Sequence, residues 1–277
     1  MKKLSIITVN YNSKELVKEL VESINKSKVD FGIKIIVVNN SEENFSDISG
    51  ITYIKNKGNF GFSNGNNLGV TQAMGDYVWF LNPDTTVDPD TIAFMISYMD
   101  NHPEVGIATP KVILQNGKLD RNCRRLFPTP VNALKRFIGL NGYFVTTPED
   151  REVEVDSVMG SSLLVRRTLG EKIGWWDEDY FMYGEDLEFC WQIKHLGYKI
   201  MYVPNVVVHH HHGASSGLKK TSQNITKADN SIRRQSILAT TNAMRIFYKK
   251  HYTGNIFTDW LIYFGIWCLE KIRLNRL

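Results

Sequence analysis

Short apolar runs rich in β-branched residues alternate with helical segments along the first hundred residues. The runs span Leu4–Val9, Lys34–Asn39, Ile51–Ile54 and Asp76–Leu81, and this composition is typical of strands that are buried on both faces. Because helical segments separate most of the runs, their order predicts an α/β fold with a mostly parallel central sheet flanked by helices. Ligands of such sheets bind at the carboxyl ends of the strands.

The second half of the chain has a different pattern. From Val105 onward the residues predict hairpins, loops and further strands, and a later helix begins at Glu185 and ends before Gly197. The last sixty residues are helical after a polar loop. We therefore expect a main domain over residues 1–216 and a basic, helical C-terminal extension over residues 217–277.

Charge is divided unevenly between these two parts. The chain of 277 residues has a formal net charge of +4, with 43% apolar and 22% charged residues, so it is not disordered throughout. Residues 217–277 contain eleven Lys or Arg against three Asp or Glu, which gives +8 there and −4 for residues 1–216. This division argues against a nucleic-acid-binding protein and predicts a tail that faces an anionic surface.

Signals for secretion and membrane insertion are weak in this sequence. Lys2 and Lys3 precede a short apolar stretch, so we expect no signal peptide. Continuous apolar windows fall short of the about 18 residues that a transmembrane helix needs. Cys123, Cys190 and Cys268 lie far apart and fit reduced thiols better than disulfides or a zinc site. We therefore expect a cytoplasmic protein.

Polar residues follow three of the predicted buried strands. Asn10 follows the first run, Asn39 ends the second, and the turn from Asn82 to Asp84 follows the fourth. In a parallel sheet these positions lie side by side, where asparagines suit a base and a ribose, and Asp84 offers an oxygen ligand for Mg²⁺ or Mn²⁺. Each of these polar strand ends (strand tips) alone is better explained by residues that simply terminate a strand. The three together favour a ligand site.

A loop rich in glycine and asparagine, Lys57–Asn67, follows the third strand. Glycine permits close approach of the backbone to a ligand, and asparagine amides can hold a diphosphate sugar. The loop has neither the G-x-G-x-x-G nor the Walker A pattern. A tight turn whose asparagines cap a helix explains it equally well.

Five aromatic residues and five carboxylates lie within the twelve residues Trp175–Asp186, at the predicted start of a helix. A helix N-terminus stabilises carboxylates in their charged form. This favours Glu185 or Asp186 as a general base, with the aromatic residues as a sugar platform. The alternative is an ordinary acidic helix start.

Four histidines, His209–His212, follow a later predicted strand. Because side chains alternate between the two faces of a strand, one or two of them can face a metal or phosphate site.

Together and in this order, these motifs resemble the family 2 glycosyltransferases that have the GT-A fold. More narrowly, the sequence is similar to the bacterial rhamnosyltransferases that build O-antigen, capsule and cell-wall polysaccharides from dTDP-L-rhamnose. The matching stretches run from Leu4 to Ser216 and are SIITVNYNS, IIVVNNS, NKGNFGFSNGNNLGV, GDYVWFLNPDTTVDPDTI, VGIATPKVI, MGSSLLVRR, WWDEDYFMYGEDLEFCWQIKHLGYKI and VVVHHHHGASS. The ordered set strongly supports the fold and the reaction class.

The resemblance implies a role for each matching residue. Asp186, with Glu185 beside it, would act as the catalytic base, while Asp84 and His210 would bind a divalent metal, Mg²⁺ or Mn²⁺. His212 is the alternative histidine. The residues implied to contact the nucleotide sugar are Thr8, Asn10, Asn39, Lys57, Gly58, Asn59, Gly61, Phe62, Asn66, Asn82, Gly160, Trp176 and Asp177.

The sequence departs from the family pattern at three positions. Asn82 replaces the first Asp of the D-x-D metal motif, which lowers the negative charge at the metal site. Asn39 stands where many relatives have Asp, and Gln192 stands where an Arg often follows the E-D pair.

The implied reaction is an inverting transfer of L-rhamnose from dTDP-L-rhamnose onto a lipid-linked saccharide. Arg121, Arg124, Arg125 and Arg166 are candidates for binding the acceptor's phosphate, although surface charge explains at least two of them. One alternative is the same fold with another donor, such as a UDP-hexose. More distant alternatives are a nucleotidyltransferase and a non-catalytic sugar-binding module.

The segment Trp260–Leu269 is apolar and precedes Lys271, Arg273 and Arg276. It is too short to span a bilayer, which takes about 20 residues, but Trp and Tyr beside Lys and Arg suit a helix lying on an anionic leaflet. We therefore expect a peripheral protein on the inner face of the cell membrane. A helix packed on the core or on a partner subunit is the alternative.

Overall fold

A computed structural model of the protein describes residues 2–137, 139–211 and 230–277. The strands are β1 (Lys2–Asn10), β2 (Gly32–Asn39), β3 (Ile51–Lys55), β4 (Tyr77–Leu81), β5 (Thr85–Val87), β6 (Val105–Leu114), β7 (Val153–Glu154), β8 (Ser162–Arg166) and β9 (Lys199–His210). The α-helices are α1 (Lys14–Asn25), α2 (Gly61–Val70), α3 (Thr91–Asn101), α4 (Pro130–Phe137), α5 (Arg167–Ile173), α6 (Glu185–His195), α7 (Asn230–His251) and α8 (Ile256–Leu274).

These strands form one mixed sheet in the order β3-β2-β1-β4-β8-β6-β9-β5, with β7 pairing along β9. Parallel pairing joins β3, β2, β1 and β4, and also joins β6 to β9. Strands β8, β5 and β7 run antiparallel to their neighbours. The predicted α/β fold is confirmed, and the two longest pairings, β6 with β9 and β1 with β2, are parallel.

Helices cover both faces of this sheet. Because successive strand residues point to opposite faces, Ile6 and Ile7 of β1 belong to two different apolar cores. Val17 of α1 and Met95 of α3 are buried in the first core, whereas Phe189 of α6 is buried in the second. The helix that carries the E-D pair is therefore fixed to the sheet by its own apolar face.

The two C-terminal helices pack differently. Phe247 of α7 is 3% exposed, and its ring contacts Trp191 of α6. His251 of α7 has its Nε2 2.7 Å from the buried carboxylate of Glu188 of α6. Helix α8 packs on α7 and buries none of its residues. Among the described residues, no helix has the length and apolarity required to cross a membrane.

Candidate active site

A buried hydrogen-bond network joins the carboxyl ends of β1 and β2. Asn10 and Asn39 are partners in the strand register and are fully buried. Asn10 Nδ2 donates to Asn39 Oδ1 at 2.8 Å and to Ser41 Oγ at 3.0 Å, while Asn39 Nδ2 donates to the Tyr53 hydroxyl at 3.2 Å. The predicted strand tips thus lie together, and their amides also hold each other in place.

Glu43 is part of this network, although the sequence does not single it out. Its carboxylate accepts from Asn10 Nδ2 at 2.8 Å and from the backbone N–H groups of Ser13 and Lys14, at 3.0 and 3.2 Å, where α1 begins. Burial opposes ionisation, but these hydrogen bonds outweigh burial and hold the pKa of Glu43 below its usual value. In the sequence Glu43 lies in a polar loop, which gives no signal of these contacts.

The hydroxyl of Thr8 lies close to this network in the strand. Thr8 is fully buried, and its Oγ1 has no hydrogen-bond partner within residues 2–137, 139–211 and 230–277. Leaving a buried hydroxyl unsatisfied costs about 1–3 kcal/mol. A hydrogen bond from a polar ligand would remove this cost. The predicted contact of Thr8 with a nucleotide sugar stays a prediction.

The segment rich in glycine and asparagine begins as an exposed loop and continues as α2. Lys57 and Asn59 are exposed, Gly58 is half-buried, and Asn59 Oδ1 accepts from the Gly61 N–H at 3.2 Å. Gly61 has a φ of +94°, and a Cβ there would overlap the carbonyl oxygen of Phe181. Glycine is therefore required at position 61 by conformation and by space.

Helix α2 fastens this loop to the acidic and aromatic stretch 175–186. Asn67 Nδ2 donates to the Trp176 carbonyl at 2.8 Å, and Asn67 Oδ1 accepts from the Trp176 N–H at 3.0 Å. Asn66 is 1% exposed and donates to the Phe62 carbonyl at 3.0 Å. Its side chain is enclosed within the helix packing, and the contact of Asn66 with the donor stays a prediction.

Trp176 and Asp177 also have partners within the chain. Trp176 is 2% exposed and packs edge-on against Phe62 and Phe80, with ring centroids 5.1 and 4.8 Å apart. It packs as a core residue, and its contact with a sugar stays a prediction. Asp177 forms an ion pair with Lys250 of α7, and its contact with the donor also stays a prediction.

The turn after β4 brings the predicted metal residues together. Strand β5 pairs antiparallel with the end of β9, which sets Thr85 opposite His210. Asp84 Oδ1 consequently lies 3.3 Å from His210 Nε2, and both side chains are almost fully buried. Asn82 shapes the turn, since its carbonyl accepts from the Thr85 N–H at 3.1 Å.

A second carboxylate lies on the other side of His210. Asp120 Oδ2 is 3.6 Å from His210 Nδ1. Burial alone would lower the pKa of His210, but the carboxylates of Asp120 and Asp84 outweigh burial and raise the pKa to about 9. The side chain of His209 is 44% exposed, as strand alternation requires, and His212 lies outside the described residues.

The predicted base, Asp186, is held in a buried ion pair at the start of α6. Its Oδ2 lies 2.8 Å from the Arg125 guanidinium and accepts from the Gly160 N–H at 3.3 Å, and its Oδ1 accepts from the Leu187 N–H at 2.8 Å. Burial alone would lower the pKa of Arg125, but the charge of Asp186 raises it. Each carboxylate oxygen has two lone pairs, so the carboxylate can accept a proton through a lone pair that these donors leave free.

Glu185 precedes Asp186 and has a different environment. It is 7% exposed, and its Oε2 has no hydrogen-bond partner in the described parts of the chain. Burial and the neighbouring charge of Asp186 raise the pKa of Glu185 above its usual value. Of the two carboxyl groups, Glu185 is therefore placed to hold a proton.

Two backbone contacts connect the predicted base to the predicted metal residues. The Asn82 N–H donates to the Ser161 carbonyl at 3.1 Å, and the preceding residue, Gly160, donates to Asp186. The carboxylate of Asp186 therefore lies at the same edge of the sheet as the turn that holds Asp84.

Two of the four arginines that the sequence suggests for acceptor binding are used to hold loops. Arg124 donates to the carbonyl of Thr147 at 2.7 Å, and Arg166 donates to the carbonyl of Met99 at 2.7 Å. Their guanidinium groups are committed to the fold, so the structure does not support an acceptor contact for either. Arg121 is exposed, with its guanidinium 4.5 Å from the ring centroid of Phe144.

The Asp84–His210 pair fits a divalent cation that takes its remaining ligands from a bound phosphate. A carboxylate oxygen and an imidazole nitrogen are both ligands for Mn²⁺, and Mg²⁺ sites commonly combine one or two carboxylates with substrate phosphates. Within residues 2–137, 139–211 and 230–277, no cluster of three or more His, Cys, Asp or Glu has the geometry of a metal site. A cation here would therefore depend on a diphosphate ligand.

Comparison with known proteins gives consistent matches. A sequence model described as glycosyl transferase family 2 matches residues 5–149. The low-salt glycan biosynthesis hexosyltransferase Agl10 of Haloferax volcanii is 30% identical over 199 residues, which are 69% of this chain and 61% of that protein. The rhamnosyltransferase WbbL of Escherichia coli strain K12 is 29% identical over 216 residues, 72% of this chain and 80% of that protein.

A solved structure shows the same fold. The mannosyltransferase PcManGT from Pyrobaculum calidifontis, in complex with GDP-Man and Mn²⁺, superimposes with a TM-score of 0.58 at 14% identity, over 99% of this chain and 72% of that chain. At this identity the likeness concerns the fold alone.

Proposed function

This chain belongs to glycosyl transferase family 2, and we propose on that premise that it moves a sugar, with inversion, from a nucleotide-sugar donor onto a saccharide acceptor. The observation that carries the proposal is the placement of Asp186. Its buried carboxylate begins α6 and is linked through Gly160 and Ser161 to the turn that holds Asp84 beside His210. A base and a candidate diphosphate site thus share one edge of the sheet.

Asp186 takes the proton of the acceptor hydroxyl, whose oxygen attacks the anomeric carbon from the face opposite the leaving diphosphate. A positioned general base typically contributes about 10²–10⁴ in rate. Arg125 and the Gly160 N–H orient the carboxylate through Oδ2. Glu185, with its raised pKa, holds a proton and so limits like-charge repulsion beside the base.

Asp84 and His210 would hold a divalent cation, Mg²⁺ or Mn²⁺, which would supply positive charge to the leaving diphosphate. The donor would contact the buried hydroxyl of Thr8, which has no hydrogen-bond partner in the described residues, and the exposed start of the glycine-rich loop. The residues proposed to contact the nucleotide sugar are Thr8, Asn10, Asn39, Lys57, Gly58, Asn59, Gly61, Phe62, Asn66, Asn82, Gly160, Trp176 and Asp177.

We propose dTDP-L-rhamnose as the donor and a lipid-linked saccharide of a bacterial O-antigen, capsule or cell-wall polysaccharide as the acceptor. The motif pattern and the rhamnosyltransferase among the relatives support this donor. Another donor, such as a UDP-hexose, on the same fold is the alternative.

The test is a donor screen with purified protein and Mn²⁺. Release of nucleoside diphosphate is measured with dTDP-L-rhamnose, UDP-galactose, UDP-glucose and GDP-mannose, with and without a lipid-linked acceptor fraction. We expect turnover with dTDP-L-rhamnose, a loss of about 10² or more in kcat for Asp186→Asn, and no loss for the control Asp90→Asn, whose carboxylate is exposed and pairs with exposed Lys28.

Absence of turnover with every donor would overturn the enzymatic proposal. Binding of a donor without turnover would support a sugar-binding module, and release of pyrophosphate would support a nucleotidyltransferase. Undiminished turnover in Asp186→Asn would overturn the assignment of the base while leaving the reaction class intact.

We further propose that α8 holds the enzyme on the inner face of the cell membrane and that residues 217–277 form a separate extension for this purpose. Phe257, Trp260, Phe264 and Trp267 are 48–67% exposed along the helix, and Lys271 begins its basic end. Exposed aromatic residues next to cationic ones suit an anionic lipid surface.

Vesicle flotation tests the membrane proposal. Trp260→Ser with Trp267→Ser is expected to abolish flotation with vesicles of phosphatidylglycerol and phosphatidylethanolamine and to leave donor hydrolysis unchanged. The matched control is Phe94→Ser, which removes an exposed aromatic side chain from α3. Equal flotation of the wild type and the double variant would contradict the proposal, and a concentration-dependent dimer lost in that variant would favour a partner subunit.

A further inference from the structure

Asp120 is a buried carboxylate for which the sequence motifs give no role. It is 2% exposed and caps the short 3₁₀ helix Arg121–Cys123, after the turn that follows β6. Its backbone N–H donates to the Val112 carbonyl at 2.8 Å. Its Oδ1 accepts from the backbone N–H and the Nδ2 of Asn122, at 3.1 and 2.7 Å.

The other oxygen of Asp120 faces the candidate metal site. Asp120 Oδ2 lies 3.6 Å from His210 Nδ1, while His210 Nε2 lies 3.3 Å from Asp84 Oδ1. The three side chains are each at most 6% exposed and therefore form a buried row, carboxylate–imidazole–carboxylate. The sheet fixes this row, because Leu114 of β6 is the register partner of His210.

We infer that Asp120 is a positioning residue for His210, an inference that rests on the proposed metal site. With a cation bound, a carboxylate near Nδ1 would keep the imidazole proton on that nitrogen and leave the lone pair of Nε2 for the cation beside Asp84. Partners of this kind fix the orientation and tautomer of a metal-binding histidine, and their loss typically costs about 10–100-fold in metal affinity or activity.

The capping contact alone does not explain a carboxylate at this position. Asparagine caps a helical turn about as well as aspartate, and its Oδ1 would still accept from Asn122. Burying a carboxylate, in contrast, costs several kcal/mol unless a positive or polar partner compensates. A neutral amide at position 120 would interact less favourably with His210 than the carboxylate does.

The experiment measures Mn²⁺ binding by the electron paramagnetic resonance signal of the free ion, with dTDP present. We expect Asp120→Asn to weaken Mn²⁺ binding about 10–100-fold and Asp84→Asn to abolish it, while Asp90→Asn binds as the wild type does. In a double-mutant cycle, Asp120→Asn should add little to the loss caused by His210→Gln, because Asp120 acts through that ring.

Unchanged Mn²⁺ affinity in Asp120→Asn, or a full additional loss in the His210→Gln background, would overturn the inference. Wild-type protein that binds no more Mn²⁺ than Asp84→Asn would overturn it together with the metal site, whereas the donor screen tests the transfer reaction separately. If thermal melting shows that Asp120→Asn is unfolded, Asp120→Glu serves instead. It keeps the charge but displaces the carboxylate by one methylene, so unchanged affinity there would also contradict the inference.

Discussion

Replacing Arg125 by methionine is expected to destabilise the protein strongly, because it leaves the carboxylate of Asp186 buried without its cation. The two side chains are 7% and 9% exposed and lie 2.8 Å apart. Without Arg125, the carboxylate keeps the hydrogen bonds from the Gly160 and Leu187 N–H groups. Two neutral donors do not replace a guanidinium in a buried site.

The size of the loss follows from two contacts. Removing one partner of a buried ion pair costs about 3–5 kcal/mol. Arg125 also donates to the Val158 carbonyl at 2.6 Å, and the loss of that hydrogen bond adds about 1 kcal/mol. Methionine keeps much of the apolar volume, so we expect a decrease of about 4–6 kcal/mol in the free energy of unfolding. That is a large share of the about 5–15 kcal/mol that a domain has.

Equilibrium urea unfolding, followed by tryptophan fluorescence, measures this decrease. The control Arg121→Met removes an exposed guanidinium that lies over Phe144, and its expected cost is at most about 1 kcal/mol. The double variant Arg125→Met, Asp186→Leu replaces the ion pair by apolar side chains. It is expected to recover most of the lost stability, because such replacements are often neutral or stabilising.

Two results would refute this reasoning. The first is an Arg125→Met protein within about 1 kcal/mol of the wild type, which would mean that the Asp186 carboxylate is not desolvated. The second is a double variant no more stable than Arg125→Met, which would mean that the loss comes from packing and not from an unpaired charge.

Three further predictions concern the surroundings of the site. Because hydrogen bonds hold the pKa of Glu43 below its usual value, its carboxylate stabilises the fold above pH 4.5 and this contribution is lost as the pH falls through the lowered pKa. Glu43→Gln should therefore cost about 1–2 kcal/mol at pH 7 and less at low pH, and a pH-independent difference in urea unfolding would argue against this linkage. Trp176→Ala should cost about 3–5 kcal/mol in the same assay, whereas a raised donor KM with unchanged stability would support the sugar-platform interpretation. Gly61→Ala should lower the free energy of unfolding by more than about 2 kcal/mol, since it adds a clash with Phe181 to the strain of a positive φ. Gly50→Ala, also at positive φ but with open space around it, should lose about 1 kcal/mol, and equal losses in the two variants would exclude the clash.

The sequence predicted the first strands well because their signal is local. Leu4–Val9 and Lys34–Asn39 are β-branched runs whose burial depends little on what lies next to them. Parallel pairing then brings their carboxyl ends together, which is why the neighbouring positions of Asn10 and Asn39 could be predicted. The pairing of Asp84 with His210, given by resemblance, needs the antiparallel contact of β5 with β9, which no local pattern specifies.

The sequence patterns did not reveal the partners that individual side chains find through tertiary packing. Trp176 occurs in an acidic, aromatic stretch that is typical of a binding surface, yet its ring completes the core beneath α6. Asp177 lies in the same acidic, aromatic stretch, but its carboxylate forms an ion pair with Lys250 of α7. Arg125, suggested for the acceptor's phosphate, lies against Asp186.

Periodicity and residue type are local properties, and they were enough to predict the α/β architecture, the polar residues that follow its buried strands and the candidate catalytic carboxylates. Which charged groups meet follows from the three-dimensional fold, as with Asp186 and Arg125, His210 and Asp120, and Glu188 and His251. These partners are far apart along the chain. Their contacts depend on strand order, register and the docking of α7, and in a buried, low-dielectric site such long-range contacts set the protonation and orientation of each group.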